Sequence, residues 1–93
     1  MARNRGSGRV TGRFEVDVLL FGRHRELAGQ SVVSVELVAG GTVADLRRAL
    51  SVHPSVGAAL GGSAVALNRR YQSDDSPVLE GDEVAVIPPV AGG

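Results

Sequence analysis

The residues of this chain that could take part in chemistry are few, and the most distinctive group ends the sequence. The last six residues, 88–93, read Pro-Pro-Val-Ala-Gly-Gly. Two consecutive prolines cannot continue a β-ladder and favour an extended backbone, so six residues reach on the order of 20 Å at about 3.3 Å each. Gly92 and Gly93 have no side chains, so they suit a narrow channel in another protein. The terminal carboxylate is ionised at neutral pH and becomes an electrophile only once it is converted to an acyl-adenylate.

Most other chemistry is excluded by composition. The chain has no cysteine, which removes thiol nucleophiles, cysteine-ligated zinc and iron–sulfur sites. His24 and His53 are the two histidines, so we predict no metal site and interpret both as surface residues. A chain without cysteine also cannot form a side-chain persulfide, which leaves the Gly93 carboxyl as the candidate reactive group. The absence of lysine weakens the interpretation as a ubiquitin-type modifier built into chains on itself.

Charge is distributed unevenly along the 93 residues. Residues 1–13 contain four arginines and no acid, whereas from residue 14 onward six arginines face ten acids, a net charge of −4. An acidic body argues against nucleic acid as a partner. We interpret residues 1–12 as a disordered Arg- and Gly-rich extension. No apolar run approaches the roughly 18 residues needed to cross a bilayer and no signal-like start is present, so we expect no membrane association and a cytoplasmic protein.

Apolar periodicity predicts four strands and one main helix. The strands are expected over 14–21, 32–38, 64–67 and 83–87. Thr42 is a good N-cap with Asp45 in the capping-box position, so the main helix begins there and ends near Pro54. Between the first two strands, 23–28 suits one short helical turn stopped by Gly29, and 68–70 suits a turn.

This order of elements predicts an α+β fold. One main helix covering one face of a mixed sheet fits the β-grasp, or ubiquitin-like, arrangement, with the first two strands antiparallel. A ferredoxin-like fold needs a full helix after the first strand, and 23–28 is too short for one. We therefore expect a β-grasp domain over 13–87 and an extended reactive tail over 88–93.

Three blocks of the sequence resemble the MoaD family, the sulfur carrier subunits of molybdopterin synthase within the ThiS/MoaD ubiquitin-like superfamily. The first is Leu-Leu-Phe-Gly-Arg-His-Arg-Glu-Leu-Ala-Gly over 19–29, and the second is Val-Ala-Leu-Asn-Arg-Arg-Tyr over 65–71. The third runs from Glu80 to Gly93 and contains the paired prolines and the terminal glycines. The resemblance covers about residues 13–93, and the ending alone is shared loosely with ThiS-type carriers.

The resemblance implies a carrier that is not itself an enzyme and has no catalytic residue or bound cofactor of its own. An adenylating partner of the MoeB or E1-like kind would use ATP and Mg²⁺ to activate Gly93, and a sulfur donor protein would convert it to a thiocarboxylate. The tail residues Pro88, Pro89, Val90, Ala91 and Gly92 would insert into a large subunit resembling MoaE, in a 2:2 heterotetramer. Sulfur delivered there would build the dithiolene of molybdopterin.

The same resemblance assigns partner-binding positions. Phe21, Tyr71 and Ile87 match positions that pack against the large subunit, and Arg25 is a candidate to pair with acids of the partner. Five acids of the C-terminal third are candidates to steer a basic partner, although turn chemistry explains most of them equally well. They are Asp74, Asp75, Glu80, Asp82 and Glu83.

Two other classes of function stay open on the sequence. The first is a sulfur carrier of another pathway, for thiamine, cysteine or tRNA thiolation. The second is a ubiquitin-like modifier or plain binding module.

Overall fold

The fold is seen in a computed structural model that describes residues 12–54, 56–57 and 60–89. In chain order the elements are β1 (Arg13–Leu20), α1 (Gly22–Ala28), β2 (Val32–Val38), α2 (Val43–Ser51), β3 (Ala64–Leu67), β4 (Arg70–Tyr71) and β5 (Val84–Ile87). The predicted strands and main helix are confirmed to within one residue at most ends, but α2 ends three residues before Pro54.

The described strands form one mixed sheet in the order β2-β1-β5-β3-β4. β1 pairs antiparallel with β2, as predicted, and parallel with β5, while β3 pairs antiparallel with both β5 and β4. The parallel pair requires a crossover, and the segment from β2 to β4 supplies it. The strand that ends the described chain therefore lies in the middle of the sheet.

The start of α2 follows from its first residues. Thr42 is extended, its hydroxyl accepts from the Asp45 amide at 3.4 Å, and its own amide donates to Asp45 Oδ2 at 2.9 Å. This reciprocal capping box satisfies two amides that the first turn leaves without partners. The hydrogen bond from the Thr42 amide holds the pKa of Asp45 below its ordinary value, with smaller contributions from the Thr42 hydroxyl and Arg48.

Aliphatic side chains fill the space between α2 and one face of the sheet. The alternation in β1 and β2 points every second residue inward, and α2 adds Val43, Leu46 and Leu50, all fully buried. The buried cluster is Val16, Val18, Leu20, Val33, Val35, Leu37, Val43, Leu46, Leu50, Val56, Leu60, Val65, Leu67, Val78, Val84 and Val86. No described helix is long and apolar enough to cross a bilayer.

Two expectations about the short elements were wrong. The segment after β1 is a seven-residue helix rather than a single turn, although Gly29 ends it in the left-handed conformation as predicted. Arg70 does not belong to the turn but begins β4, a strand the sequence did not predict. Asn68 and Arg69 make the connecting turn, both with positive φ (53° and 70°). That conformation is typical of tight two-residue hairpin turns.

Candidate functional site

The C-terminal tail leaves the sheet from its centre, at the end of β5. Ile87 is the last residue of that strand, and Pro88 and Pro89, here called the tail root, follow it directly. Pro88 is half-buried and Pro89 is exposed. Val90, Ala91, Gly92 and Gly93 lie outside the described residues, so their assignment to tail insertion and to the reactive carboxyl stays a prediction.

The face of the sheet turned away from α2 carries an apolar row. Residues that pair directly across strands share a face, and the registers align Val32, Leu19, Ala85, Ala66 and Tyr71 from one edge to the other. The valines of β3 and β5 point toward the core, so the alanines next to them, Ala66 and Ala85, lie on this outer face. The surface is therefore flat and apolar between the larger side chains of Leu19 and Tyr71.

Phe21 joins this face because β1 stays extended for one residue beyond its last ladder pair. Its φ and ψ are −129° and 158°, so its side chain follows the alternation and lies on the same face as Leu19. Gly22 then takes a φ of 51°, a left-handed conformation that glycine adopts without steric cost. The backbone turns there into α1 and leaves Phe21 at the rim of the sheet.

Three of the four predicted partner-binding residues meet in one shallow surface pocket, here called the sheet pocket, of about 360 Å³. Its lining residues are Phe21, Ala66, Arg69, Tyr71, Glu83, Ala85 and Ile87. Phe21 is 43% exposed and Tyr71 is 72% exposed, so neither is a core residue. Exposed aromatic side chains around small ones are typical of the centre of a protein interface.

One side of the sheet pocket is bordered by charge. Arg69 Nε lies 3.5 Å from Glu83 Oε1, in an exposed ion pair that contributes little stability by itself. The position of Arg69 depends on the tight turn at Asn68. Glu83 was predicted as an acid that could steer a partner, but its pairing with Arg69 was not predicted, because the two residues meet only through the β3–β5 ladder.

Arg25 and four of the five candidate acids lie outside the sheet pocket, and Glu83 is the one that lines it. Arg25 is exposed on α1. Asp74 accepts from Arg47 at 2.8 Å, and Asp82 accepts from the Leu79 amide at 2.8 Å and the Asn68 side chain at 2.9 Å. A hydrogen bond from the Ser73 hydroxyl holds the pKa of Asp75 below its ordinary value. Turn and loop hydrogen bonds therefore account for Asp75 and Asp82, and an ion pair with α2 accounts for Asp74.

His24 is not a surface residue, which corrects the prediction. It is fully buried, and its Nε2 lies 2.7 Å from the hydroxyl of Ser63, which is also buried. Its Nδ1 has no hydrogen-bond partner among the described residues. Burial lowers the pKa of His24, and the charge of Arg23 lowers it further. The sequence carried no signal for this, since Ser63 lies 39 residues away along the chain. His53 is half-buried.

The described residues form a surface suited to recognition of a partner. The described part of the chain holds no cluster of three or more His, Asp or Glu side chains able to bind a metal ion. It offers instead an apolar pocket next to the point where a proline-stiffened tail leaves the sheet.

A mixed five-stranded sheet crossed on one face by a helix, with the last strand central, defines a β-grasp protein of the ubiquitin-like class. Within that class the chain belongs to the ThiS family, whose sequence profile matches residues 18–93.

Individual relatives are similar over most of their length. The molybdopterin synthase sulfur carrier subunit of Chlamydomonas reinhardtii is 35% identical over 85% of this chain and 99% of its own. The subunit of the same name from Arabidopsis thaliana is 36% identical over 89% of this chain and 88% of its own.

Solved structures agree on the fold. Small archaeal modifier protein 1 of Haloferax volcanii superposes with a TM-score of 0.69 at 27% identity, over 82% of this chain and 98% of that one. A chain from the complex of subunits 1 and 2 of the molybdopterin-converting factor of Helicobacter pylori superposes with a TM-score of 0.60 at 28% identity. The superposition covers 86% of this chain and 100% of the Helicobacter pylori chain.

Proposed function

We propose that this chain is the sulfur carrier subunit of a molybdopterin synthase. The observation that carries the proposal is the adjacency of the sheet pocket and the tail root, because Ile87 lines the pocket and directly precedes Pro88. A partner that docks on the apolar face thereby receives the tail at a defined place. The similarity to relatives named as molybdopterin synthase sulfur carrier subunits supports the pathway.

In the proposed reaction the carboxyl of Gly93 is the group that changes. A carboxylate oxygen attacks the α-phosphorus of ATP bound to an adenylating enzyme of the MoeB or E1-like kind, and pyrophosphate leaves. The outer sulfur of a persulfide on a donor protein then attacks the acyl carbon, and AMP leaves with the electron pair of the broken C–O bond. A thiol next attacks the donor's sulfur of the resulting acyl disulfide, forms a disulfide with the donor, and releases the other sulfur on the chain with the electron pair of the broken S–S bond. The product is a thiocarboxylate, and the catalytic groups and the Mg²⁺ belong to the adenylating partner.

The large subunit is the proposed receiver of the sulfur. The Helicobacter pylori complex joins two subunits of a molybdopterin-converting factor, which supports a partner of the MoaE kind for this chain. We assign Phe21, Tyr71 and Ile87 to the docking surface and Pro88 to Gly92 to the inserted tail. The assembly we propose is a 2:2 heterotetramer in which the thiocarboxylate reaches a pterin precursor and builds its dithiolene.

The experiment that tests the proposal measures single-turnover pyrophosphate release with the adenylating partner, together with intact mass after the sulfur donor is added. The intact chain should release pyrophosphate and gain the mass of one sulfur in exchange for one oxygen. Deleting Gly93, or adding one glycine after it, displaces the carboxylate by about 3.3 Å. Since a misplacement of about 1 Å can cost on the order of 100-fold in a preorganised site, both variants should fail.

Circular dichroism and thermal melting of both variants control for folding, since the described core ends before the tail. Pyrophosphate release by the Gly93 deletion at the rate of the intact chain would reject the proposal.

A second candidate function is attachment to other proteins through the same carboxyl. The structural likeness to small archaeal modifier protein 1 favours it. The two functions are separated by the product: a carrier accumulates a thiocarboxylate of the free chain, whereas a modifier appears as covalent adducts of higher mass on lysines of other proteins.

A further inference from the structure

Two glycines face the two prolines of the tail root. A Cβ atom placed on Gly22, at the start of α1, would lie 3.3 Å from Cγ of Pro88. A Cβ atom placed on Gly62, in the loop before β3, would lie 3.7 Å from Cγ of Pro89. The tail root therefore leaves the sheet between two walls, the first at Gly22 and the second at Gly62.

A buried hydrogen bond ties these two walls together. His24 lies two residues after Gly22, Ser63 directly follows Gly62, and the His24 Nε2 and Ser63 Oγ atoms are 2.7 Å apart. Both residues are buried, with exposed fractions of 0% and 4%. A hydrogen bond in such surroundings is strengthened by the low local dielectric, and leaving either partner unpaired is unfavourable.

The second wall, at Gly62, is also anchored to α2 through the neighbouring residue Ser63. Arg47, on α2, donates from Nη1 to the carbonyl oxygen of Ser63 at 2.7 Å and from Nε to Asp74 at 2.8 Å. The Ser63 amide donates to the Leu60 carbonyl at 3.1 Å. Ser63 is thus anchored to α2 through its backbone, and its hydroxyl is the group that reaches across to α1.

We propose that the His24–Ser63 pair is a positioning contact for the tail: it holds the two walls around Pro88 and Pro89 together and so sets the direction in which the chain leaves the sheet. His24 and Ser63 touch no reacting atom. The consequence for sulfur transfer rests on the proposed function, since an adenylating enzyme that binds this chain must find the Gly93 carboxylate at a fixed place.

The test compares four chains: the unaltered protein, Ser63→Ala, the double variant His24→Leu with Ser63→Ala, and Ser51→Ala as a control. The double variant removes both polar partners at once, which leaves no unpaired buried group and favours folding. Ser51 matches Ser63 in type, and its hydroxyl donates to a carbonyl at 2.7 Å, but it is exposed at the end of α2.

The first readout is structural and independent of any activity. Nuclear Overhauser contacts between the α-protons of Gly22 and the ring of Pro88, and between Gly62 and Pro89, should be strong in the unaltered chain and in Ser51→Ala. They should weaken in the other two variants. Contacts of unaltered strength in the double variant would overturn the proposal.

The second readout is single-turnover pyrophosphate release with the adenylating partner. Because His24 and Ser63 are buried and their replacement leaves the exposed surface unaltered, the concentration of chain at half-saturation should stay constant while the maximal rate falls about tenfold in both variants that lack the pair. His24→Gln, whose amide can again donate to Ser63, should recover part of the rate. Equal maximal rates in all chains would overturn the positioning role.

If the proposed function itself is wrong, the two measurements give a different pattern of results. In that case the unaltered chain itself would release no pyrophosphate, and the Overhauser contacts would still decide whether the His24–Ser63 pair holds the tail root.

Discussion

Asn68 and Glu83 hold each other through two hydrogen bonds across the end of the β3–β5 ladder. The Asn68 amide donates to the Glu83 carbonyl at 2.7 Å, and the Glu83 amide donates to the Asn68 side-chain oxygen at 3.0 Å. The Asn68 side-chain nitrogen also donates to Asp82 at 2.9 Å. One turn residue thereby fixes the start of β5 and, through the hairpin, the places of Arg69 and Tyr71 at the sheet pocket.

Replacing Asn68 should therefore destabilise the chain and disturb the docking surface. Asn68→Ala loses two side-chain hydrogen bonds and places alanine at a positive φ, so we expect a loss of about 1–3 kcal/mol in the free energy of unfolding. Asn68→Gly keeps the turn conformation and should lose less. Urea unfolding of both variants checks this, and equal stability of Asn68→Ala and the unaltered chain would contradict it.

The sheet pocket should be the docking surface of the large subunit. Phe21→Glu and Tyr71→Glu each place a charge where an apolar side chain is expected to be buried by the partner, which should weaken binding by at least about tenfold. Calorimetric titration with a MoaE-like subunit measures the change. Adenylation of Gly93 should be largely retained in both variants.

Leu79→Glu is the matched control for these two substitutions. Leu79 is a large apolar residue whose exposed fraction, 62%, is comparable with that of Tyr71. It does not line the sheet pocket. Its replacement should leave binding unchanged. Affinities equal to that of the unaltered chain for Phe21→Glu and Tyr71→Glu would remove the docking role from the pocket.

Stability should depend on pH through His24. Its pKa is lowered in the folded chain, first by burial and then by Arg23, and Arg47 bound to the Ser63 carbonyl adds a further positive charge nearby. The unfolded chain therefore takes up this proton more readily, and stability rises with pH wherever the unfolded state holds more protons. The contribution is complete above the unfolded pKa of about 6.5 and is lost as the pH falls below it toward the folded pKa.

Melting temperatures at about pH 7.5 and about pH 5 check this, in the range where histidine titrates. The decrease on acidification should be larger for the unaltered chain than for the double variant His24→Leu with Ser63→Ala. The pKa values of Asp45 and Asp75 are lowered, so their protonation lies below this range. Parallel decreases in the two chains would exclude His24 as the titrating group.

The first residues should be dispensable for both stability and sulfur chemistry. The described ladder begins with the Gly12 carbonyl, which accepts from the Ala39 amide at 2.7 Å, so deletion of residues 2–11 leaves every described contact in place. Melting temperature and pyrophosphate release should match those of the intact chain. Deleting residues 2–13 is the matched control, because it removes this bond and the Arg13–Glu36 pair and should lower the melting temperature. A substantial loss with the shorter deletion would show that residues 2–11 contribute.

Local patterns in the sequence predicted most of the elements, because each depends on residues close together in the chain. Alternation in β1 and β2 defines the buried side of each strand, the Thr42–Asp45 spacing defines the start of α2, and Gly29 supplies the left-handed end of α1. The terminal Pro-Pro and Gly-Gly pairs predicted a reactive tail without any knowledge of the fold.

The tertiary structure alone decided which distant residues meet. β4 forms because Arg70 and Tyr71 pair with residues of β3. Two residues are too few for apolar periodicity to predict a strand. The parallel pairing of β1 with β5 brings Ile87 near Phe21, which joins them in one pocket and leaves Arg25 outside it. His24 looked like a surface histidine because its partner is far away in sequence. Its burial depends on how α1 packs against the loop at Ser63, and that packing is a long-range property that no local pattern encodes.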